Sequence, residues 1–204
     1  MPEKANHYFT SHPKSKLKFG VIHTYLRGKP YKFLTASGVF SKKRLDPGTK
    51  LLIEAMRLPE KGYVLDIGCG YGAVGIAAAT FNPNLQVVMI DLNQRAVMLA
   101  KRNIALNKAA NVEVRRGNLY EPVKDMVFNC ILSNPPVSAG LTTIKKIIFQ
   151  APEHMAEKAT LQIVLKSKVV GERLMQTFRE TFGNLEIIAR ESGYRVLLSE
   201  KQNS

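Results

Sequence analysis

The chain has 204 residues, 45% hydrophobic and 23% charged, the composition of one soluble domain with a modest N-terminal extension. No window holds 18 uninterrupted apolar residues, so nothing reads as a membrane helix. Thirty Lys and Arg against 16 Asp and Glu leave a net charge of +14, of which residues 1–60 supply +8; an excess of this size points to a polyanionic partner, nucleic acid first.

In chain order, the first 15 or so residues, with Pro2 and Pro13, read as loosely structured. The start MPEKANHYFT lacks a basic-then-apolar leader, so the expectation is a cytoplasmic chain. YKFLTASGVF, 31–40, alternates around Ser37-Gly38 and predicts a short hairpin. Asp46-Pro47-Gly48 opens a helix running to about Met56, with Leu51, Leu52, Ala55 and Met56 at helical spacing and Pro59 beyond its end.

From residue 62 strands and helices alternate. YVLDI (63–67) is a buried-type strand followed by a glycine turn and a helix over 73–81. LQVVMID (85–91) and a helix over 94–107 come next, then strands at 111–116 and 126–133. A helix over 142–157, a strand over 161–166 and a helix to about Phe182 lead to LEIIA (185–189) and YRVLLS (194–199), which turn at Ser192-Gly193. The pattern predicts an α/β fold: a doubly wound, seven-stranded, mostly parallel sheet closed by an antiparallel C-terminal hairpin. Residues 1–60 then form a basic hairpin-and-helix extension packed on a core domain, 61–204.

In such sheets ligands lie beyond the carboxyl ends of the strands, where strand order reverses. VLDIGCGYGAVG (64–75) falls there. Gly68, Gly70 and Gly72 let the backbone turn tightly, and the next helix presents free N–H groups. The spacing also fits a dinucleotide fingerprint, but Asp66 would sit beside a pyrophosphate and repel it. Its carboxylate suits a ligand carrying an ammonium group. Asp91, ending the next strand, can accept the hydroxyls of a ribose, and Asn118 can both donate to and accept from an adenine edge. ILSNPPVSAG (131–140) brings Asn134 to the end of another strand, fixed by Pro135 and Pro136. The Asn134 side-chain oxygen and the Pro135 carbonyl could grip both hydrogens of an exocyclic amine and aim its lone pair at an electrophile.

Asp66-x-Gly68-x-Gly70-x-Gly72, then Asp91, then Asn134-Pro135-Pro136 resemble the class I S-adenosylmethionine-dependent methyltransferases that modify an amino nitrogen. HYF (7–9), SGVFSKKRLDPGTKLL (37–52), VLDIGCGYGAVGIA (64–77), IDLNQRAVMLAKRNIALN (90–107), SNPPVSAG (133–140) and GNLEII…GYRVLLS (183–199) are similar, more narrowly, to the small-subunit rRNA guanine-N2 methyltransferases in their short stand-alone form. The resemblance implies a Rossmann-like methyltransferase core with S-adenosylmethionine as cofactor. It implies that Asp66 and the three glycines hold the methionine part, Asp91 the ribose, and Asn118-Leu119 the adenine, with Leu92 also against the cofactor. Phe40 and the Asp46-to-Thr49 turn would cover the cofactor, with the target amine at Asn134 and Pro135 and the base beside Pro136 and Val137. Many amino-methylating enzymes carry an aromatic where Val137 stands, so a flipped base needs another platform, Phe40 or Tyr8. Asn118 replaces a common acidic residue, and VLKSKVVG (164–171) lacks a glutamine-bearing pattern.

The chemistry implied is direct methyl transfer to guanine N2 of ribosomal RNA or of an assembling subunit, with orientation and desolvation as the catalytic means. Lys14, Lys16, Lys18, Lys42, Lys43 and Arg44 are the candidate phosphate contacts. His7, His12, His23 and His154 have no metal-ligand spacing, and Glu153-His154 reads as the solvated end of a helix. Cys69 and Cys130 read as packing residues in a reducing compartment. N6-adenine methylation, protein-glutamine methylation and non-catalytic RNA binding remain as rivals; an NAD-dependent dehydrogenase has no use for Asp66 or the prolines. Oligomeric state is not legible, with a monomer as the simplest expectation.

Overall fold

The computed structural model describes residues 16–41, 44–135, 140–169 and 171–202. Strands β1 (Phe19–Leu26) and β2 (Lys29–Ala36) form an antiparallel hairpin. It reverses at Arg27-Gly28, whose φ angles of 47° and 76° put both turn residues in the left-handed region, as a two-residue turn matched to strand twist demands. The hairpin expected around Ser37-Gly38 therefore lies earlier. Ser37 and Gly38 instead carry the chain out of β2: the Ser37 N–H bonds the Lys18 carbonyl, and Gly38 takes φ 79°.

Helix α1 (Pro47–Ala55) starts where the sequence puts it. Asp46 caps it by accepting the Thr49 N–H at 2.9 Å, and Pro47 fills the first helical position, where no donor is needed. Then follow β3 (Gly62–Ile67), α2 (Ala73–Phe81), β4 (Leu85–Asp91), α3 (Gln94–Leu106), β5 (Val112–Arg116) and β6 (Phe128–Ser133). After α4 (Gly140–Gln150) come β7 (Met155–Lys166), α5 (Glu172–Phe182), β8 (Glu186–Glu191) and β9 (Tyr194–Glu200).

Seven strands make one sheet in the order β5-β4-β3-β6-β7-β9-β8. The first five run parallel; β9 is antiparallel to both β7 and β8, turning at Ser192-Gly193 as expected. Order reverses between β3 and β6, so the carboxyl ends of those neighbours flank the crevice. Helices α1, α2 and α3 and the N-terminal hairpin pack on one face, burying Phe33, Leu52, Ile76 and Leu99 with Met89. Helices α4 and α5 cover the other, with Ile148, Phe178 and Leu161 at its centre.

The helix expected over 142–157 stops early. Pro152 removes a helical donor, Ala151–His154 forms a single 3-10 turn, and Glu157 already lies on β7. His154 is consequently buried rather than solvated, stacked on Tyr120 with ring centroids 4.5 Å apart.

The outer edge of β2 is closed by side chains of α3. Asn103 accepts the Leu34 N–H (2.7 Å) and donates to the carbonyls of Leu34 (2.9 Å) and Tyr71 (2.8 Å). Asn107, one helical turn on, accepts the Lys32 N–H (3.2 Å) and donates to its carbonyl (2.9 Å). These amides do for β2 what a neighbouring strand would, satisfying groups that an edge otherwise leaves open. No helix among the described residues is long and apolar enough to cross a membrane.

Candidate functional site

Beyond β3 the chain must reverse within a few residues while leaving room in front of α2. Gly68, Gly70 and Gly72 take φ angles of 72°, 58° and 94°, which side-chain-bearing residues rarely adopt. The N–H groups of Gly68 and Cys69 both bond the Ile90 carbonyl, at 2.8 and 3.0 Å, so the turn is anchored on β4. Gly72 caps α2 with no side chain, leaving the helix's first N–H groups to a ligand or to neighbouring carboxylates.

Two carboxylates organise this turn. Asp66, 1% exposed at the end of β3, accepts the Gly75 N–H at 2.9 Å through Oδ2. Burial lifts its pKa to about 7; the Gly75 N–H opposes the rise and the charge on Asp91 adds to it. Asp91 accepts the Gly70 N–H (2.8 Å) through Oδ2 and the Asn93 N–H (2.8 Å) through Oδ1. Burial raises Asp91 too, against those two donors. Neither carboxylate has a cationic partner among the described residues.

Both open onto one cavity of about 410 Å³ in the crevice between β3 and β6. Its volume falls within the range of small-molecule and cofactor sites. Two buried acids with no counter-ion among the described residues, in a chain of net charge +14, suit a ligand that brings its own positive charge and hydroxyl donors. The donor set therefore fits S-adenosylmethionine, which carries an ammonium group and a ribose.

At the cavity's other wall β6 ends on Ser133, whose buried hydroxyl bonds the Ile67 carbonyl at 2.9 Å and ties the two crevice strands together. Asn134 follows. Its side-chain nitrogen donates to Asp46 Oδ2 (3.0 Å) and to Thr49 Oγ1 (2.8 Å). An ionised carboxylate can only accept, so this contact fixes which end of the amide is nitrogen and which is oxygen. The side-chain oxygen of Asn134 and the carbonyl of Pro135 carry no hydrogen bond among the described residues. Asp46 is held from behind by the hydroxyl of Tyr194, at 3.2 Å, on β9. Burial, the Asp46 charge and the hydrogen bond to it push that phenol above its ordinary range. Gly48 makes the approach possible: a Cβ there would meet Tyr194 Cε1 at 2.6 Å.

Of the residues expected from the sequence, Phe40, Thr49, Asp66, Gly68, Gly70, Asp91, Leu92, Asn118, Leu119, Asn134 and Pro135 all line this cavity. Gly72 does not; it sits above Met89, where a Cβ would meet the sulfur at 3.3 Å. Asn118 is exposed at the rim and donates to Glu121. Arg44 is exposed and outside the lining, while Lys42, Lys43, Pro136 and Val137, like Tyr8 and Lys14, lie outside the described residues. Cys69 is buried against the acids, which push its thiol further up than burial alone. Sequence reasoning missed Tyr194 entirely and read Asp46 as a helix cap and cover only. No local pattern announces either contact; a second use of Asp46 becomes visible only when β6 is brought beside α1. No group of three or more His, Cys, Asp or Glu among the described residues could hold a metal ion.

Residues 30–198 match the model of the methyltransferase small domain family. The chain is 33% identical over 199 residues to the uncharacterized protein YbxB of Bacillus subtilis, covering 97% of this chain and 99% of that one. It is 32% identical over 172 residues to ribosomal RNA small subunit methyltransferase C of Hamiltonella defensa, covering 82% of this chain but 50% of that protein, so it spans about half the length of such relatives. A solved structure of the T. thermophilus 16S rRNA N2 G1207 methyltransferase, RsmC, in complex with AdoMet and guanosine, superposes with a TM-score of 0.81 at 26% identity, over 93% of this chain and 52% of that one.

Proposed function

Because the chain belongs to the methyltransferase small domain family, we propose that it is an S-adenosylmethionine-dependent methyltransferase of ribosomal RNA, and that its acceptor is guanine N2. One observation carries the acceptor assignment: Asp46 and Thr49 take both hydrogens of the Asn134 amide, so that among the described residues its own oxygen and the Pro135 carbonyl are the acceptors left for a ligand. Two acceptors side by side match the two hydrogens of an exocyclic NH₂. The naming of the T. thermophilus neighbour as an N2 methyltransferase and the guanosine in its complex support guanine over adenine.

When bound, S-adenosylmethionine supplies an electrophilic methyl on a positively charged sulfur. Asp66 holds the ammonium group, and Asp91, with an acceptor site left on each oxygen, takes the ribose hydroxyls. Leu92, Asn118 and Leu119 border the adenine, and Phe40 and Thr49 close over the ligand. Asn134 and Pro135 accept the amine hydrogens and turn its lone pair toward the reacting carbon. Delocalisation into the ring otherwise makes this nitrogen a weak nucleophile, so orientation contributes much of the rate. No side chain need remove a proton before attack. Ribosomal RNA as substrate carries a cytoplasmic location with it, in keeping with two unpaired thiols. The basic N-terminal extension, 1–60, is assigned to RNA apart from Phe40 and Thr49, and residues 61–204 to the cofactor and the target amine.

The test is transfer of labelled methyl onto unmodified ribosomal RNA and onto small subunits, followed by nucleoside analysis. The expected product is N2-methylguanosine. Label on adenine, label on protein, or no transfer to either substrate overturns the assignment.

A further inference from the structure

The net charge of this protein comes from one part of it. From Lys4 to Leu45 the sequence has ten Lys or Arg and no Asp or Glu; from Leu92 to Val112 it has four and none. Those fourteen equal the net charge of +14, and the rest of the chain is balanced. The two stretches contain the β1–β2 hairpin and α3, the elements joined by Asn103 and Asn107.

The hairpin face turned from the core is studded with rings. Along β1, Phe19, Val21, His23 and Tyr25 point outward while Ile22 and Leu26 point in. Phe19 is 50% exposed and Tyr25 70%, so two large rings stand on a strand whose other edge is unpaired in its sheet. Alternate strand residues stand ~6.7 Å apart, so the row extends ~20 Å. Cations border it: Arg102 lies over the Phe19 ring at 5.4 Å, and exposed Lys32 is paired across from His23. The row also leads to the cavity. At its Phe19 end the Lys18 N–H bonds Ser37 Oγ at 3.0 Å, and two residues further along that strand's exit Val39 and Phe40 line the cavity wall.

A face built for a protein partner keeps charge out of its centre. Two copies of this chain meeting here would oppose two stretches that hold no carboxylate. Rings interleaved with cations suit single-stranded nucleic acid, whose bases stack and whose phosphates need neutralising. We propose that the outer face of β1 holds the single-stranded RNA flanking the target nucleotide, with Phe19 and Tyr25 as stacking platforms and Lys18, Lys32 and Arg102 at the phosphates. This rests on the reading of the chain as an RNA methyltransferase.

The test uses the full chain and a fluorescein-labelled 12-residue oligouridine, which offers no guanine to the cavity. Phe19→Ala and Tyr25→Ala each weaken binding about tenfold, Tyr25→Phe retains it, and S-adenosylhomocysteine affinity is unchanged in all three. Equal oligouridine affinity in the double alanine variant overturns the platform, as does a change in sedimentation in place of a change in affinity. The two failures separate cleanly. Ribosomal RNA methylation with unaltered KM in the double variant sinks the platform and leaves the function standing. Ring-dependent oligouridine binding by a protein that methylates no RNA upholds the platform and sinks the function.

Discussion

Asn134 and Asp46, 88 positions apart in sequence, meet with the amide nitrogen of one 3.0 Å from the carboxylate of the other. The contact turns a helix cap into an orienting device, because the same Oδ2 accepts the Thr49 N–H that starts α1. A carboxylate at 46 makes the flipped amide unfavourable, since oxygen would then face oxygen.

Removing the amide removes the grip: Asn134→Ala is expected to abolish transfer while leaving S-adenosylhomocysteine affinity within a few-fold. Asp46→Asn keeps the helix cap but permits the wrong amide orientation. Its single-turnover rate is expected to fall about tenfold to a hundredfold, the scale of a misplaced reacting group. Tyr194→Phe, which only loosens the support behind Asp46, should cost a few-fold at most. A wild-type rate in Asp46→Asn would mean that Thr49 alone sets the amide.

Gly48→Ala probes the same corner by volume. The new methyl would sit 2.6 Å from Cε1 of Tyr194, so ring or helix must move. Overpacking of this kind costs about 1–3 kcal/mol. Urea denaturation should show that loss, and Gly48→Ala combined with Tyr194→Ala should recover most of it. No recovery would place the clash elsewhere.

Asp66 sets a pH dependence whose sign is fixed. Its native pKa of about 7 lies above the unfolded value near 4, so between about pH 4 and 7 the folded protein holds a proton that the unfolded chain has released. This contribution to stability therefore falls as pH rises through that window. Cofactor-free protein should melt higher at pH 6 than at pH 8 on this account, and Asp66→Asn should flatten the slope. Asp91, raised by burial as well, acts in the same direction. On the proposed role of Asp66, ligand binding runs the other way: holding an ammonium group requires the ionised carboxylate, so S-adenosylhomocysteine affinity should drop below about pH 7, by at most tenfold per pH unit for one proton. Calorimetry from pH 5.5 to 8 checks both, and a pH-independent affinity removes Asp66 from the ammonium site.

Asn103 is fully buried and makes three hydrogen bonds to two separate backbones. Asn103→Leu strands the Leu34 N–H and the Tyr71 carbonyl in the interior, and a loss of about 2–4 kcal/mol is expected from denaturant unfolding. Asn103→Asp should do no better, because a carboxylate accepts from Leu34 but gives nothing to either carbonyl.

The parallel core was legible because its punctuation is local. DIGCGYG, the Asp91 strand end and SNPP each mark a strand's end within a few residues, and α2 and β4 were read to their observed limits. β1 escaped because Arg-Gly is a weak turn word, although its geometry is the usual one for a two-residue reversal. The α4–β7 boundary was blurred by a 3-10 turn around Pro152 that retains helical spacing. On the cavity wall, Asp66, Gly68, Gly70, Asp91, Asn118, Asn134 and Pro135 followed from strand-end logic, while Phe40, Thr49, Leu92 and Leu119 came with the family resemblance. The Asp46, Asn134 and Tyr194 arrangement did not, since it joins α1, β6 and β9, which only the finished sheet brings together.

The asparagine pair on α3 also limits where the hairpin can sit. Four residues of helix advance about 6.0 Å and two residues of strand about 6.7 Å, so the two ladders run in step for a pair of teeth and then drift. Slipping the hairpin by one residue would present the groups already engaged with β1; slipping it by two, so that Asn103 met Lys32, would set Asn107 against Pro30, which has no N–H to donate. The arm is thus keyed to the body like a vernier, with one seat, and the seat is cut by the same asparagine that braces the glycine turn at Tyr71.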